Sequence, residues 1–417
     1  MVRPLDDLTA ELPAAAAFDH AARLERFSAT LGHTGFAAAI VSQPQDLYYL
    51  TGTAQPCNLV VVPGAQPVLL ARRFADLAEA EAVGVPVRSG AGFAAVGREL
   101  QRRGVRAGRL GLELDVIPAA LYRRAAHAFP SFELDDCAAP LLRQRAVKDE
   151  LEVACLRAAA ARFALVHETL VSHLRAGVSE LELAAEVERV LRRAGHAGLV
   201  AQRRWDAALQ PEGTLASGPN LSTISGGPIT VSGVGLSRAT PFGASARRVA
   251  SRDLVNIDLG INVAGYHADM ARTYAVGGVC ERTAELAHAV RTIQDAILAR
   301  VRPGVATADV YHAGVAAAHE AGCGDFFQGH GAHHGPYVGH GIGLELDEPP
   351  VLGPHANGAV GAGMVLAIEP KLISPGFGAV NLEDDVVVTA AGAELLSRVP
   401  RAVFAVDGVG GLAEALR

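Results

Sequence analysis

From residue 18 the chain alternates two hydrophobic rhythms. FDHAARLERFSATLGHTG (18–35) repeats its apolar residues at helical spacing and stops at Gly35. FAAAIVS (36–42) is a short unbroken apolar run and reads as a buried strand. After LYYLTG, NLVVV (58–62) and PVLLA (67–71) flank the turn former PGAQ and read as a hairpin. Helical stretches near 73–82 and 92–104 and a strand LGLEL (110–114) continue the alternation. Together they predict an α/β domain of about 140 residues.

The rhythm then lengthens. LLRQRAVKDELEVACLRAAAARFALVHETL (141–170) predicts one long helix, with Asp149 and Glu150 in a first turn where the helix dipole favours anions. A domain boundary is expected near 145, dividing 1–145 from 146–417. SELELAAEVERVLRRAG (179–195) predicts a second helix, with Ser179 as N-cap and Glu182 three residues on, the capping-box pattern. Residues 206–247 lose all periodicity and are rich in Gly, Ser, Thr and Pro. A run of that length inside a compact domain usually covers or lines a site. Strands at 254–261 and 271–276, helices over 281–300 and 306–321, a His- and Gly-rich segment at 329–343, and strands at 364–369 and 379–388 complete the pattern.

Composition narrows the class. At 417 residues the chain suits two or three domains, and half of it is hydrophobic, enough for a sizeable core. A net charge of −7 without a basic run argues against a nucleic-acid partner. The basic residues are almost all arginine; the only lysines are Lys148 and Lys371, which reads as genome composition. The five cysteines, Cys57, Cys137, Cys155, Cys280 and Cys323, are odd in number and show no CxxC spacing, so free thiols in a reducing cytoplasm are expected. MVRPLDDLTAELPAA lacks the basic start and apolar run of a signal peptide, and no stretch reaches the ~20 apolar residues of a membrane span.

Against this background, certain ionisable residues stand out. VNIDLGINVAGYHADMART (255–273) sets Asp258 and Asp269 among apolar, strand-like residues, with Gly265 available for a turn between them. GHGIGLELDEPP places His340 between glycines, GMVLAIEPKL ends an apolar strand on Glu369, and AVNLEDDVVVT puts Glu383 before another. Buried carboxylates are costly unless a cation meets them. If each pair of strands forms a hairpin, Asp258 can face Asp269 and Glu369 can face Glu383. Four carboxylates bring a charge of −4, which a pair of divalent cations neutralises. An oxygen-dominated cage with one imidazole suits Mn²⁺, Co²⁺, Zn²⁺ or Fe²⁺. Two such ions can share a bridging hydroxide and together polarise a carbonyl.

In these motifs, DLVNIDLGINVAGYHADMARTYAVG, GHGIGLELDEPP, GMVLAIEP and NLEDDVVVTAAGAELL, the chain resembles the pita-bread metallohydrolases, the family of prolidase, Xaa-Pro aminopeptidase, methionine aminopeptidase and creatinase. RLERFSATLGHTGFAAAIVSQPQDLYYLTG resembles the creatinase/prolidase N-terminal domain, and LRQRAVKDELEVACLRAAA its interdomain helix. The resemblance implies an α/β creatinase-like N-terminal domain over 1–145 and an α+β pita-bread catalytic domain over 146–417, closest to the prolidase and aminopeptidase P branch. It implies that Asp258 holds one metal, that Asp269 and Glu383 bridge two, and that His340 and Glu369 hold the second, with Glu369 also taking the proton of the attacking water. Two divalent ions per chain are implied, Mn²⁺, Co²⁺ or Zn²⁺, together with a small peptide substrate, a cytoplasmic location and a homodimer.

The chain departs from the family pattern at two places. Phe242 stands where family peptidases usually carry a histidine before the first metal aspartate, and Asp347 where they carry one after the metal histidine. Loss of one positioned donor typically costs about 2.7–4 kcal/mol of transition-state stabilisation. GHGAHHGPY (329–337) offers replacements: His333 as a catalytic donor, and His330, His334 and Tyr337 at the substrate, with Phe242 as a wall for the proline ring and Asp347 beside it. Tyr266 is a further donor candidate, and Arg272, Arg398 and Arg401 are candidates for a substrate carboxylate. The leading expectation is an atypical Xaa-Pro dipeptidase or aminopeptidase. A small-molecule amidohydrolase or lyase on the same scaffold, and a non-catalytic binding module, are the alternatives.

Overall fold

The structure is a computed structural model that describes residues 13–204, 213–224, 231–407 and 411–416. Its contacts divide into two units, Pro13–Arg145 and Ala146–Arg417.

The first unit is built on six strands: β1 (Phe36–Val41), β2 (Cys57–Val61), β3 (Val68–Ala71), β4 (Val87–Ser89), β5 (Gly108–Leu112) and β6 (Phe132–Asp136), in the order β4-β3-β2-β1-β5-β6. The hairpin read from NLVVV and PVLLA is β2–β3, antiparallel, whereas β1, β5 and β6 run parallel. Its helices are α1 (His20–His33), α2 (Pro44–Thr51), α3 (Ala75–Glu81), α4 (Gly92–Arg102), α5 (Ala119–Ala128) and α6 (Ala138–Ala146). The Asp19 side chain caps α1 by accepting from Ala22 N at 2.9 Å. LYYLTG closes α2: Pro44 sits in its first turn, where its missing N–H costs nothing, and Gly52 at φ 80° stops it.

The expected long helix over 141–170 is three helices. After α6, Val147 bridges to Met364 and Lys148 N donates to Gly363 O at 2.9 Å, so the backbone leaves helical geometry. Asp149 then restarts it with a reciprocal capping box to Glu152, giving α7 (Glu150–Ala161), and α8 (Phe163–His173) follows a break at Arg162. α9 (Glu180–Arg193) carries the predicted Ser179–Glu182 box, and α10 (Glu281–Arg300) and α11 (Thr307–Glu320) match the two later helical stretches.

The strands of the second unit carry the site. They are β7 (Thr214–Ser217), β8 (Leu254–Val263), β9 (Tyr266–Val276), β10 (Gly329–His330), β11 (His333–His334), β12 (Gly339–Gly341), β13 (Glu348–Val351), β14 (Val365–Ile368), β15 (Lys371–Ser374), β16 (Gly378–Asn381), β17 (Asp384–Thr389), β18 (Gly392–Leu395), β19 (Val403–Val406) and β20 (Leu412–Leu416). Two five-stranded sheets form, β20-β19-β9-β8-β7 and β13-β12-β14-β17-β18, joined by a bridge between Ala271 and Glu383. Val290, Ile293 and Ile297 of α10 share one apolar cluster with Leu366 and Ile368 of β14 and Leu372 and Val380 of β15 and β16. That cluster anchors the strands bearing Glu369 and Glu383.

The β8–β9 turn is two residues, Ala264 and Gly265, both at positive φ (53° and 87°), with Asn262 Oδ1 accepting from Gly265 N at 3.1 Å. Such a turn matches the strand twist, so the ladder runs the full length of both strands. The loop expected over 206–247 is described in part. Residues 205–212 and 225–230 lie outside the described residues, while 214–217 add β7 to the sheet edge.

Candidate metal centre

Register decides which carboxylates meet. Asp258 pairs with Ala271 and Asp269 with Gly260, so the two aspartates share one face of the β8–β9 ribbon as diagonal neighbours, not as a directly opposed pair. The second pair is directly opposed. The ladder runs Ile368↔Asp384 on one side of a break and Lys371↔Asn381 on the other, which sets Glu369 opposite Glu383. Pro370, which has no N–H to give, lies in that break. His340 reaches the same place from β12, whose residues pair with Ala367 and its neighbours on β14.

These residues line one cavity: Asp258, Asp269, Tyr337, His340, Asp347, Glu369 and Glu383, together with Lys371, Gln202, Gly213 and Thr214. Ligand atoms of Asp269, His340 and Glu383 all lie within 4.8 Å of one another. His340 Nδ1 faces the Gly341 carbonyl at 3.0 Å and so carries the proton. That turns Nε2 toward Asp347 Oδ1 (3.3 Å), Asp269 Oδ2 (3.7 Å) and Glu369 Oε1 (3.8 Å). Glu383 Oε2 is buried with no hydrogen-bond partner.

Lys371 completes the cage. Its Nζ lies 2.5 Å from Glu369 Oε2 and 3.4 Å from Asp258 Oδ2, and Asn381 Nδ2 donates to that same Asp258 oxygen at 3.1 Å. Burial opposes the charge on Lys371, but Glu369, Asp258 and Glu383 outweigh it and hold the amine well above the usual lysine range. Burial, with Asp258 close by, pushes Asp269 well above the usual carboxylate range; burial and Asp269 do the same to Glu383. Burial works against a charged His340, yet Asp347, Glu369 and Asp269 raise it to about 9. Several mutually repelling carboxylates with one ammonium among them still call for positive charge.

Other expected residues fall elsewhere. His333 is exposed on β11, in a tight hairpin with β10, and does not line the cavity. His334 is also exposed, with Nδ1 against Phe327 O at 2.9 Å; half-buried His330 sets Nε2 against Ser222 O at 3.1 Å. The hairpin turns these three rings away, so nearness in sequence to His340 does not become nearness in space. Phe242 is half-buried and absent from the lining. Asp347, expected at the substrate, lies directly on His340. Tyr266 donates to Glu152 Oε1 at 3.1 Å. Arg272 is fully buried and bonded to backbone and Asp384, with no part in the cavity. Gln202, Thr214 and Lys371 went unforeseen. Of these, only Lys371 had a signal: one of two lysines in the chain, two residues after a ligand candidate.

A model of metallopeptidase family M24 matches residues 154–390, and one of the creatinase/prolidase N-terminal domain matches residues 23–147. The chain belongs to metallopeptidase family M24. It is 26% identical over 385 residues to an uncharacterized peptidase, YqhT, of Bacillus subtilis, covering 91% of this chain and 98% of that one. It is 26% identical to the Xaa-Pro dipeptidase of Pyrococcus furiosus over 386 residues, 91% of this chain and 98% of that one. Among solved structures, dipeptidase PepE of Mycobacterium ulcerans is 28% identical, with a TM-score of 0.76 over 93% of this chain and 99% of that one. The fold is a creatinase-type N-terminal domain with a pita-bread catalytic domain, and the protein is a metallopeptidase.

Family M24 implies a divalent metal, and the donor set fits such a metal. Asp269, Glu383 and Glu369 supply hard oxygens, His340 presents Nε2, and the unpartnered Glu383 Oε2 is the kind of buried atom a cation satisfies. No helix among the described residues is long and apolar enough to cross a membrane. None of the five cysteines forms a disulfide.

Proposed function

We propose that this M24 protein hydrolyses Xaa-Pro peptide bonds with the help of a divalent ion, as a dipeptidase or an aminopeptidase. The observation that carries the reading is the convergence of Asp269, His340 and Glu383 on one point, with Glu369 Oε1 beside His340. A divalent ion there would polarise the scissile carbonyl and lower the pKa of a water. The chain's own groups supply the rest. Glu369 is the proton acceptor, because Lys371 holds Oε2 and leaves Oε1 on the His340 side. Tyr337 lines the cavity, and burial with Glu369 and Asp347 nearby keeps its hydroxyl protonated; it stands in as donor for the histidines missing at 242 and 347. Gln202 Oε1, buried without a partner, and Asp347 offer acceptors for a substrate ammonium. Two ions would need the Asp258 side of the cage as well, and Lys371 lies there.

Purified protein with Mn²⁺ or Co²⁺ is expected to cleave Gly-Pro, Ala-Pro or a tripeptide with proline second. No turnover of any of the three defeats the peptidase reading. The altered donors at Phe242 and Asp347 favour, as the second reading, a small-molecule amide or lyase substrate on the same scaffold.

A further inference from the structure

We infer that the Lys371 ammonium is a built-in cation that takes the place of one divalent ion, so that this centre binds one metal rather than two. The inference rests on the reading of a metal-dependent hydrolase.

Position is the first argument. Lys371 Nζ sits between Asp258, from the first hairpin, and Glu369, from the second, at 3.4 and 2.5 Å. Asp258 is the carboxylate that an ion on that side needs and the other side does not. Its Oδ2 already accepts from two donors, Lys371 Nζ and Asn381 Nδ2. A carboxylate oxygen has about two lone-pair sites, so Oδ2 is filled and a metal on that side would have only Oδ1 of Asp258 to use, beside the ammonium.

The second argument is that the lysine is held there. Lys371 N donates to Gln328 Oε1 at 3.0 Å, and its carbonyl accepts from Gln328 N at 2.8 Å. Gln328 Nε2 also donates to the carbonyls of Tyr337 and Glu369. Across the ladder Lys371 faces Asn381, the residue that shares the Asp258 oxygen with it. The stem therefore starts from a backbone fixed on both sides, and its reach is aimed along the cavity wall.

The third argument is chemical. The chain uses arginine for all but two of its 37 basic side chains. Both lysines are buried against carboxylates: Lys148 on Glu348 at 3.1 Å, and Lys371 here. A guanidinium is a broad planar fork, whereas an ammonium is a compact point charge that can fill an ion's position. Other buried carboxylates in the chain are met by arginine, Asp46 by Arg145 and Asp384 by Arg272, so burial alone does not select lysine, and the compact ammonium at Lys371 stands out by its place among the candidate ligands.

On the other side of the cage the short contacts of Lys371 stop: its ion pairs go to Asp258 and to Glu369 Oε2, it meets Glu383 only through longer-range charge, and Glu383 Oε2 has no hydrogen-bond partner. An ammonium balances charge and orients Glu369 but is no Lewis acid, so water activation rests on the single ion.

Counting metal tests this. Full-length protein is stripped with chelator, titrated with Mn²⁺ or Co²⁺ by calorimetry, and its metal content measured after dialysis. The wild type is expected to take one equivalent per chain. Lys371→Ala is expected to take two. Asp258→Asn is expected to keep one, and Glu383→Gln to lose it. Circular dichroism confirms that each variant is folded; if Lys371→Ala is not, Lys371→Met and Asp258→Asn carry the test. Two equivalents in the wild type, none in the wild type, a lysine variant that stays at one, or an Asp258→Asn that loses its metal each overturn the inference. The count is read without any peptide, so its failure is separate from a failure to cleave Xaa-Pro.

Discussion

Replacing Arg272 with methionine is expected to destabilise the catalytic unit far more than an ordinary core substitution. The guanidinium is fully buried. It donates to Asp384 Oδ1 at 2.6 Å and to the carbonyls of Glu383 (2.7 Å), Ala271 (2.8 Å), Pro400 (3.0 Å) and Val399 (3.1 Å). It thus ties β9, which carries Asp269, to the segment that carries Glu383. Methionine fills much of the space and leaves Asp384, itself 1% exposed, with Gln294 Nε2 at 3.1 Å and the more distant Arg401 Nε at 4.0 Å as its remaining partners. Removing one partner of a buried ion pair costs about 3–5 kcal/mol, because the other charge stays buried. Part of any unsatisfied-carbonyl cost, about 1–3 kcal/mol each, is offset by relaxation, so the ion-pair figure is the safer one. At about 2 °C per kcal/mol for a unit of this size, the melting temperature falls by about 6–10 °C. Calorimetry reads it, on the transition that shifts upward with added Mn²⁺. Adding Asp384→Asn removes the stranded charge and is expected to recover about 1–2 kcal/mol. A drop under about 3 °C, or a double variant worse than the single by the full Asp384→Asn cost, refutes the reasoning.

Tyr337→Phe is expected to lower kcat about 10²-fold with KM nearly unchanged, as for loss of a donor used in the transition state; equal activity removes Tyr337 from the reaction. Glu369→Gln is expected to lower kcat about 10²–10⁴-fold, and a smaller loss shifts the proton acceptor elsewhere. His333→Ala, on the exposed hairpin, is expected to keep kcat/KM within about twofold; a larger loss brings that loop back to the substrate. Gly265→Val forces a branched residue to φ 87° in the β8–β9 turn and is expected to cost about 1–2 kcal/mol, read as a lower melting temperature.

Legibility in the sequence followed the kind of information each feature needs. Hairpins need only local pattern, and both metal-side hairpins were readable, down to Glu369 lying across from Glu383. The β8–β9 register needed one fact more, the turn type. Centring the turn on Ala264–Gly265 moved Asp258 and Asp269 from opposed to diagonal while keeping them on one face, since a shift of two positions preserves the side of the sheet. The long helix failed for a different reason: Val147 and Lys148 are pulled out of it by Met364 and Gly363, more than two hundred positions away, which no local rhythm records. His330, His333 and His334 failed likewise. Their spacing from His340 allowed a return over the centre, and a two-strand hairpin spent that length turning away.

Lys371 shows how a compositional fact can hide a structural one. Two lysines among 37 basic residues look like codon habit, and for the arginines covering the surface that account is adequate. It says nothing about why the exceptions sit where they do. Burial supplies the missing term: both amines lie out of water and each rests on carboxylate, Lys148 on Glu348 and Lys371 on Glu369 and Asp258. A carboxylate charge of −4 taken alone asks for two external ions, because it leaves out an internal cation among them. Once Lys371 is placed, the Asp258 side is matched from within, and the demand that remains is centred on Asp269, His340 and Glu383.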